Sequence, residues 1–366
     1  MVYKQQWSSS SINKHSMEAQ QLLLIVAIGL GLVLLSQADC PLSRAMIEGT
    51  NRIFTNRNAA GQYELKRLQR VRTNEVLHMI CQANDIVQTT CQQNTNFSRP
   101  LPLRCQRPMA ASATVVTDAS CPATMYSVGY TINNQRLELY RACYDRNGVR
   151  ARFSRHSVYH KTFFPQRPCA DFSRDGIISE TDASSFFPRT IFRAFRTIFG
   201  NNQRYIPNER DTIINRGHLT PSGDFLYGDQ MCATFKYINV APMFKSINDR
   251  NWETIERWIR TRISAGGLLR IKTGTNGDLT LPDNRSRQRR IILGAGTKNT
   301  MPLWLYKVVR TSANGPHSVF VTLNNIFARA RPAAPSFCTS IPCPMTLENV
   351  AAAGYTFCCN ATTFTL

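Results

Sequence analysis

Residues 215–225 read NRGHLTPSGDF, and residues 237–260 read YINVAPMFKSINDRNWETIERWIR. A single histidine follows an arginine–glycine pair in the first stretch. In the second, two asparagines and a glutamate recur at intervals of nine and eight residues. The four positions are His218, Asn239, Asn248 and Glu256. A lone histidine is more often structural or solvated than catalytic, so these four residues are candidates for a functional site that the rest of the chain has to support.

Local patterns predict the elements that carry these residues. DTII at 211–214 indicates a short strand that enters the Arg-Gly-His element, and ATFKYIN at 233–239 alternates as a second strand. Residues 249–264 are predicted to form a helix that begins at a cap, Asp249, and ends at a Gly-Gly pair. Its apolar stripe consists of Trp252, Ile255, Ile259 and Ile263. Further strands are predicted towards the C-terminus, so the order of elements indicates an α+β fold.

The N-terminal segment has the features of a secretory signal. Residues 22–35 form an apolar run of 14, shorter than the ~20 residues that a membrane-spanning helix requires. Small residues follow this run, and we predict cleavage before Asp39 that removes residues 1–38. The mature chain is then expected to be secreted and extracellular, with no stable membrane insertion. An uncleaved anchor is the alternative, and Met17 is a second candidate start.

All twelve cysteines lie beyond that cleavage site. An even number of cysteines in an exported chain predicts disulfides, although their pairing cannot be read from the sequence. Residues 39–135 are predicted to form a disulfide-stapled, β-rich N-terminal module, and residues 136–366 the main domain, because arginine and aromatic residues become frequent from about residue 136. Glycosylation sequons agree with export and stand at Asn96, Asn284 and Asn360.

Positive charge is the strongest feature of the composition. The chain carries a net charge of +21, and removal of the leader, whose own net charge is +1, leaves +20. A secreted protein this basic is expected to bind a polyanion, and nucleic acid, glycosaminoglycan and anionic membrane are all candidates. Residues 184–200 are predicted to form a helix with arginines on one face and phenylalanines on another. This helix is interpreted either as a contact for phosphates or a membrane, or as a surface helix packed through its phenylalanines.

Cleavage of a phosphodiester requires a base that activates water and a cation that stabilises charge on the phosphate. His218 is the best-placed base, because a free imidazole titrates near ~6.5, and Arg216 offers a guanidinium suited to phosphate. Mg²⁺ keeps several waters and binds few protein ligands, so one amide oxygen, from Asn248, is enough to hold it. Glu256 lies about 12 Å further along an ideal helix, and it is predicted to orient metal-bound waters and neighbouring side chains.

One pair of histidines has a spacing that is also found in zinc sites. His156 and His160, in HSVYH, are spaced like helical zinc ligands. The valine and tyrosine between them favour a strand instead, and no cysteine or carboxylate ligand supports the pair. No zinc site is therefore predicted.

The sequence resembles the DNA/RNA non-specific endonuclease family, whose members are ββα-metal (His-Me finger) nucleases. Three stretches carry this resemblance: RGHLTPSGDF, TFKYINVAP and INDRNWETIERWIR. Within this family, the sequence is most similar to the secreted arthropod branch, which includes gut double-stranded RNA nucleases. The shared features are the TFKYIN motif, the signal segment and the cysteines. The resemblance is strong over residues 211–262 and weak over residues 136–340. It implies a ββα-metal core on a larger antiparallel sheet with a few helices, preceded by a small β-rich module, with residues 136–366 as the endonuclease domain.

The resemblance also implies an activity and the roles of four residues. His218 is expected to be the general base, and Asn248 the direct ligand of Mg²⁺, for which Mn²⁺ can substitute. Asn239 and Glu256 are expected to support them at the catalytic site. The implied substrates are DNA and RNA, including double-stranded RNA, and attack by water would leave 5′-phosphate ends. The sequence does not rank these substrates, and it does not give the oligomeric state or the biological role.

Two arginines complete the expected site, and two positions depart from the family's pattern. Arg167 is the candidate for the arginine that the family uses on the scissile phosphate, with Arg216 as a second phosphate contact. Asn215 stands where the family usually has Asp, and Met243 where it usually has Gln. Neither departure removes the base or the metal ligand, so an active enzyme is expected. The alternative is a catalytically inactive, secreted polyanion-binding protein that retains the nuclease fold.

Overall fold

The computed structural model describes residues 38–311 and 316–366. The predicted signal segment, apart from residue 38, lies outside these ranges. Within them, no helix combines the length and apolar character needed to cross a bilayer. The architecture is a large antiparallel sheet with a few helices, which confirms the predicted α+β class.

The N-terminal part is a small sheet cross-linked by disulfides. Its elements are β1 (Cys40–Pro41), α1 (Arg44–Gly49), β2 (Ile53–Arg57), β3 (Tyr63–Leu65), β4 (Arg70–Val71), β5 (Val76–Gln82) and β6 (Asp85–Thr90). Four strands form an antiparallel sheet in the order β3-β2-β5-β6. The Cys40–Cys91 and Cys81–Cys105 bonds tie this sheet to the segments that flank it.

The small sheet packs on the segment that follows His218. Ile53 and Ile80 share an apolar cluster with Leu219, and the ring of Phe54 lies 5.3 Å from the ring of Tyr227. Burial of these side chains removes apolar surface from water on both sides of the contact. The N-terminal part therefore supports the backbone beside the candidate histidine.

The rest of the chain builds one wide sheet. Its elements in chain order are β7 (Ser112–Val116), β8 (Thr124–Ile132), β9 (Gln135–Asp145), β10 (Arg150–Tyr159), α2 (Glu180–Ser184), α3 (Pro188–Phe199), β11 (Ile214–His218), α4 (Gly228–Cys232), β12 (Val240–Phe244), α5 (Lys245–Ile247), α6 (Glu253–Thr261), β13 (Leu268–Asp278), β14 (Thr280–Pro282), β15 (Gln288–Arg290), β16 (Pro302–Thr311), β17 (Pro316–Leu323), β18 (Ser340–Ile341) and β19 (Thr356–Cys359). Nine of these strands pair in the order β18-β19-β17-β16-β13-β10-β9-β8-β7.

The predicted boundary after residue 135 falls beside a hairpin turn of this wide sheet. Strands β8 and β9 pair directly across that turn, where Asn133 and Asn134 adopt positive φ. The Cys121–Cys143 bond also joins the two sides of the boundary. The division into two units stays a prediction, and the strand pairing favours a boundary nearer residue 111.

The ββα unit consists of a two-stranded hairpin and the helix that follows it. Strands β11 and β12 pair antiparallel, with His218 opposite Val240 and Ile214 opposite Phe244. The helix starts directly after β12 and comprises α5, a π-helical turn at Asn248–Trp252, and α6. This arrangement confirms the predicted ββα core.

Two details of the predicted unit were wrong. The Arg-Gly-His element is itself strand β11, whereas a strand was predicted before it, at 211–214. Residues 233–239 form a turn and a short 3₁₀ helix, Tyr237–Asn239, instead of a strand. The reason is the amide of Asn239, which bonds backbone groups of Thr220 and Thr234 and so folds the segment on itself. Such side-chain bonds to the backbone compete with a sheet ladder.

The predicted helix also starts at the wrong residue. It begins at Lys245, four residues before the predicted cap Asp249, and α6 ends at Thr261. The apolar stripe is confirmed, since its four members are buried in one core with residues of β13 and β16. The predicted helix over 184–200 is confirmed as α3, which buries Phe195 and Phe199 in the same core.

Candidate active site

The hairpin brings His218 close to the partner strand β12. Gly217 lies opposite Ala241, and a Cβ atom at residue 217 would stand only 2.7 Å from Met243 Cε and 2.9 Å from Met243 Cβ. Residue 217 must therefore be glycine for Met243 to pack there, which explains the Arg-Gly-His wording. The two departures from the family's pattern, Asn215 and Met243, are cross-strand partners.

His218 packs against two aromatic rings that also contact each other, and an arginine lies over each of these rings. The imidazole centroid is 5.2 Å from the ring of Phe172 and 4.7 Å from the ring of Phe235. The Arg216 guanidinium carbon lies 4.3 Å from the Phe172 ring centroid, and that of Arg167 lies 4.9 Å from the Phe235 ring centroid. The structure therefore brings together His218 and both arginines predicted to contact phosphate.

The surroundings of His218 favour its neutral form. Burial, together with the positive charges of Arg167 and Arg216, lowers the pKa of His218 to about 3. The side chain is half-buried. Its Nε2 is enclosed and has no hydrogen-bond partner among the described residues. A neutral imidazole can accept a proton, and a bound phosphate would offset the two guanidinium charges that help to hold its pKa down.

A disulfide holds Arg167 in this position. The Cys169–Cys232 bond joins the segment that follows β10 to the end of α4. Cys169 is only two residues from Arg167, so the bond limits how far this arginine can move from Phe235. The sequence supplied the candidate arginine and the two cysteines, but it held no signal for their pairing.

Asn239 is fully buried and all of its hydrogen-bonding capacity is used inside the fold. Its Oδ1 accepts from the Thr220 backbone N–H at 2.9 Å, and its Nδ2 donates to the carbonyls of Thr220 and Thr234, both at 2.9 Å. No atom of this amide remains free for a metal or a substrate. The side chain instead clamps the backbone two residues beyond His218.

We expect Asn239→Ala to lower the free energy of unfolding by about 3 kcal/mol or more, because it leaves buried backbone groups without partners. Activity at a temperature well below the melting transition should also fall, because the backbone beside His218 is released. Denaturant unfolding and initial rates measure the two effects.

Asn251→Ala is the matched control for that variant. Asn251 is equally buried, and its amide also donates two hydrogen bonds and accepts one, but it fastens the backbone of Glu348 and Gly354. The control should lose similar stability and keep its activity. Equal loss of activity in both variants would show that Asn239 has no particular connection to the site.

Glu256 belongs to a buried hydrogen-bonded chain that leads back to Thr220. Its Oε2 lies 3.3 Å from Arg260 Nη2, and Arg260 Nε donates to Asp224 Oδ1 at 2.8 Å. Asp224 Oδ2 lies 2.7 Å from His156 Nε2, and His156 Nδ1 lies 3.3 Å from Thr220 Oγ1. The helix of the ββα unit and the loop after His218 are thereby joined through strand β10.

The charges of the residues in this series of hydrogen bonds compensate one another. Burial raises the pKa of Glu256 to about 7, and the positive charges of Lys307 and Arg260 counter that shift. Burial alone would raise the pKa of Asp224. The hydrogen bond from His156 and the positive charge of Arg260 outweigh the effect of burial, so this pKa lies below its usual range. Apart from Arg260, which is four residues after Glu256, these partners are distant in sequence, and sequence reasoning missed them.

Asn248 lies on the π-helical turn, outside that chain of bonds. Its Nδ2 donates to Asp249 Oδ1 at 3.1 Å, and its Oδ1 accepts no hydrogen bond from the described residues. A half-buried amide oxygen without a protein partner fits a hard cation such as Mg²⁺, provided that waters and phosphate oxygens fill the other positions. The described residues contain no group of three or more histidine, cysteine and acidic side chains that could hold a metal. π-Turns are also frequent at functional sites.

The hairpin carries a histidine with two adjacent arginines, and the helix that follows it carries an amide oxygen without a protein partner among the described residues. A model of the DNA/RNA non-specific endonuclease family matches residues 121–364. The chain belongs to this family, which confirms the resemblance stated above. Members of the family typically depend on a divalent metal ion.

The chain is also similar to individual proteins. A protein named salivary endonuclease from Lutzomyia longipalpis is 26% identical over 263 residues, covering 70% of this chain and 62% of that protein. Salivary protein Tsal2A from Glossina morsitans morsitans is 23% identical over 245 residues, covering 64% of this chain and 62% of that protein. Each match thus spans less than two thirds of the relative's own length. The EndoG/EndoGI complex, a solved structure, contains a chain that is 19% identical, with a TM-score of 0.37, covering 54% of this chain and 76% of that one.

Proposed function

We propose that this protein is a secreted, Mg²⁺-dependent endonuclease that hydrolyses DNA and RNA, including double-stranded RNA, without regard to sequence. The observation that carries this proposal is the neutral imidazole of His218 packed against two rings, each of which has an arginine over it. Two guanidinium groups beside a base suit a phosphodiester, which has an anionic phosphate and needs an activated water.

In the proposed reaction, His218 accepts the proton of the water that attacks phosphorus. Arg167 and Arg216 bind the phosphate oxygens and offset the charge that develops on them. The P–O3′ bond breaks and the leaving O3′ takes up a proton from solvent water, so the products carry a 5′-phosphate and a 3′-hydroxyl. Asn248 would hold Mg²⁺, which when bound stabilises charge on the phosphate and on the leaving oxygen, and Mn²⁺ is expected to substitute for it.

Asn239 and Glu256 act in this proposal as positioning residues. The amide of Asn239 fixes the backbone that follows His218. Glu256 and its partner Arg260 tie the helix that carries Asn248 to the same loop through Asp224. Both residues are therefore assigned to alignment of the base with the metal ligand.

Export and the division of the chain remain parts of the proposal. Six disulfides indicate an oxidising compartment, and two relatives carry salivary names. Asn96 and Asn284 are exposed, as glycosylation of their sequons requires. We assign residues 1–38 to a cleaved signal, and the proposed mature enzyme combines a small N-terminal module with the endonuclease domain.

A digestion series tests this function. Plasmid DNA and double-stranded RNA are each incubated with the protein at two salt concentrations, with Mg²⁺ or with a chelator. We expect cleavage of both substrates with Mg²⁺, none with chelator, and a steep fall of activity at the higher salt, because phosphate contacts dominate binding.

Retention of binding without any cleavage in Mg²⁺ or Mn²⁺ would contradict the proposal and favour the inactive polyanion-binding protein. Cleavage that persists in chelator would contradict the assigned metal dependence. End-labelling of the products with and without prior phosphatase treatment checks the expected 5′-phosphate.

A further inference from the structure

An exposed phenylalanine stands at the edge of the candidate site. Phe187 is 45% exposed, whereas its neighbour Phe186 is 5% exposed and packs its ring 5.5 Å from the ring of Tyr237. An exposed phenylalanine leaves an apolar ring in water, and beside a candidate site such a ring is available for contact with a ligand. No role in the proposed reaction accounts for Phe187.

The position of Phe187 is fixed on both sides. Phe186 anchors the chain just before it, and Pro188 occupies the first position of α3 just after it. Proline restricts the backbone at a helix start, so little conformational freedom remains for residue 187. An exposed ring on a rigid support is preorganised to bind a flat ligand.

Phe187 lies next to a residue assigned to the phosphate. The guanidinium carbon of Arg216 is 5.9 Å from the Phe187 ring centroid and 4.3 Å from that of Phe172, and Phe172 in turn contacts His218. The exposed ring thus lies next to Arg216, the arginine beside His218. A nucleotide whose phosphate binds Arg216 carries its base within reach of Phe187.

We propose that Phe187 is a stacking platform for one nucleobase next to the scissile phosphate, an inference that rests on the proposed function. Every base has a π-face, so such a platform is compatible with cleavage that ignores sequence. It does require the base to leave its stack in the strand. The platform therefore favours unpaired, bulged or easily unstacked positions within both DNA and RNA.

The test measures binding instead of cleavage, in a His218→Ala background that leaves the strand intact. The probes are a fluorescent oligothymidylate and a fully abasic strand of equal length and charge, titrated with Mg²⁺ present. Phe187→Ala should weaken binding of the oligothymidylate on the order of ten- to a hundred-fold and change binding of the abasic strand little. Phe187→Trp should keep the preference for bases, and Phe187→Leu should lose it although it keeps an apolar side chain.

Ile341→Ala is the matched control, because Ile341 is also 45% exposed but lies on the edge strand β18. It should bind both strands as the parent does. Equal losses on both strands in Phe187→Ala, or a parent protein without preference for bases, would overturn the platform. Failure of the digestion series would leave this comparison of strands valid, so the two proposals can fail separately.

Discussion

His218→Ala lowers turnover by at least about 100-fold, the usual loss when a general base is removed, while the protein stays folded. The fold should persist because, among the described residues, the imidazole makes no hydrogen bond that an alanine would leave unpaired, and its aromatic contacts are with Phe172 and Phe235. Initial rates on plasmid DNA measure the loss, and circular dichroism with a melting curve measures the fold.

His160→Ala is the control for this prediction. His160 is a partly exposed histidine at the end of β10, and only its backbone N–H has a recorded hydrogen bond, to Gly267. The control should keep full activity. If His218→Ala loses its melting transition in proportion to its rate, the histidine is a structural residue and the assignment of the base is wrong.

Asn248→Ala is expected to remove the response to Mg²⁺ together with most of the activity. Its amide makes one hydrogen bond, to the exposed carboxylate of Asp249, so the loss of stability should be small. The activity is titrated against Mg²⁺ concentration, and binding of Mn²⁺ is measured directly by electron paramagnetic resonance. Asn248→Ala should weaken Mn²⁺ binding, whereas Asn248→Asp should retain it, because a carboxylate oxygen is also a hard ligand.

Asp249→Ala separates the assigned ligand from its neighbour. Asp249 pairs with Lys245 one turn away and is the nearest rival donor on the same helix. This variant should keep the metal response. If Asn248→Ala keeps the response to Mg²⁺ and Asp249→Ala loses it, the metal ligand is the carboxylate of Asp249 and the assignment of Asn248 is wrong.

The fold class could be predicted because it depends on local patterns, whereas the ββα core was implied by the resemblance to the endonuclease family. The stripe from Trp252 to Ile263 repeats at helical spacing and is buried as expected. The strand predicted over 233–239 failed because the alternation of Phe235, Tyr237 and Asn239 is also compatible with a compact turn. What decides between these two conformations is the amide of Asn239, whose bonding partner Thr220 is nineteen residues away.

The candidate site could be predicted only in part, for a related reason. The grouping of Arg167 and Arg216 around His218 agrees with the residues selected from the sequence. The chain of bonds from Glu256 to Thr220 could not be predicted, because Asp224 and His156 come from separate loops and strands. Residue spacing gives no information about partners that only tertiary packing brings together.

The N-terminal sheet is more than an appendage in this arrangement. Its Ile53 and Ile80 share an apolar cluster with Leu219, the residue after the candidate base. A change in the packing of that sheet would therefore be transmitted to the backbone on which His218 stands. The family match begins at residue 121, so this contact belongs to a part of the chain that the match does not include.

The Cys169–Cys232 bond makes the anchoring of Arg167 depend on whether the surrounding compartment is oxidising or reducing. In a reducing cytosol both sulfurs remain thiols, and the segment that carries Arg167 loses its covalent anchor to α4. An exported copy of the chain gains that anchor on oxidation, after it has left the cytosol. For the proposed secreted nuclease, the covalent anchor beside Arg167 would thus form only after the chain has left the compartment that holds the cell's own transcripts.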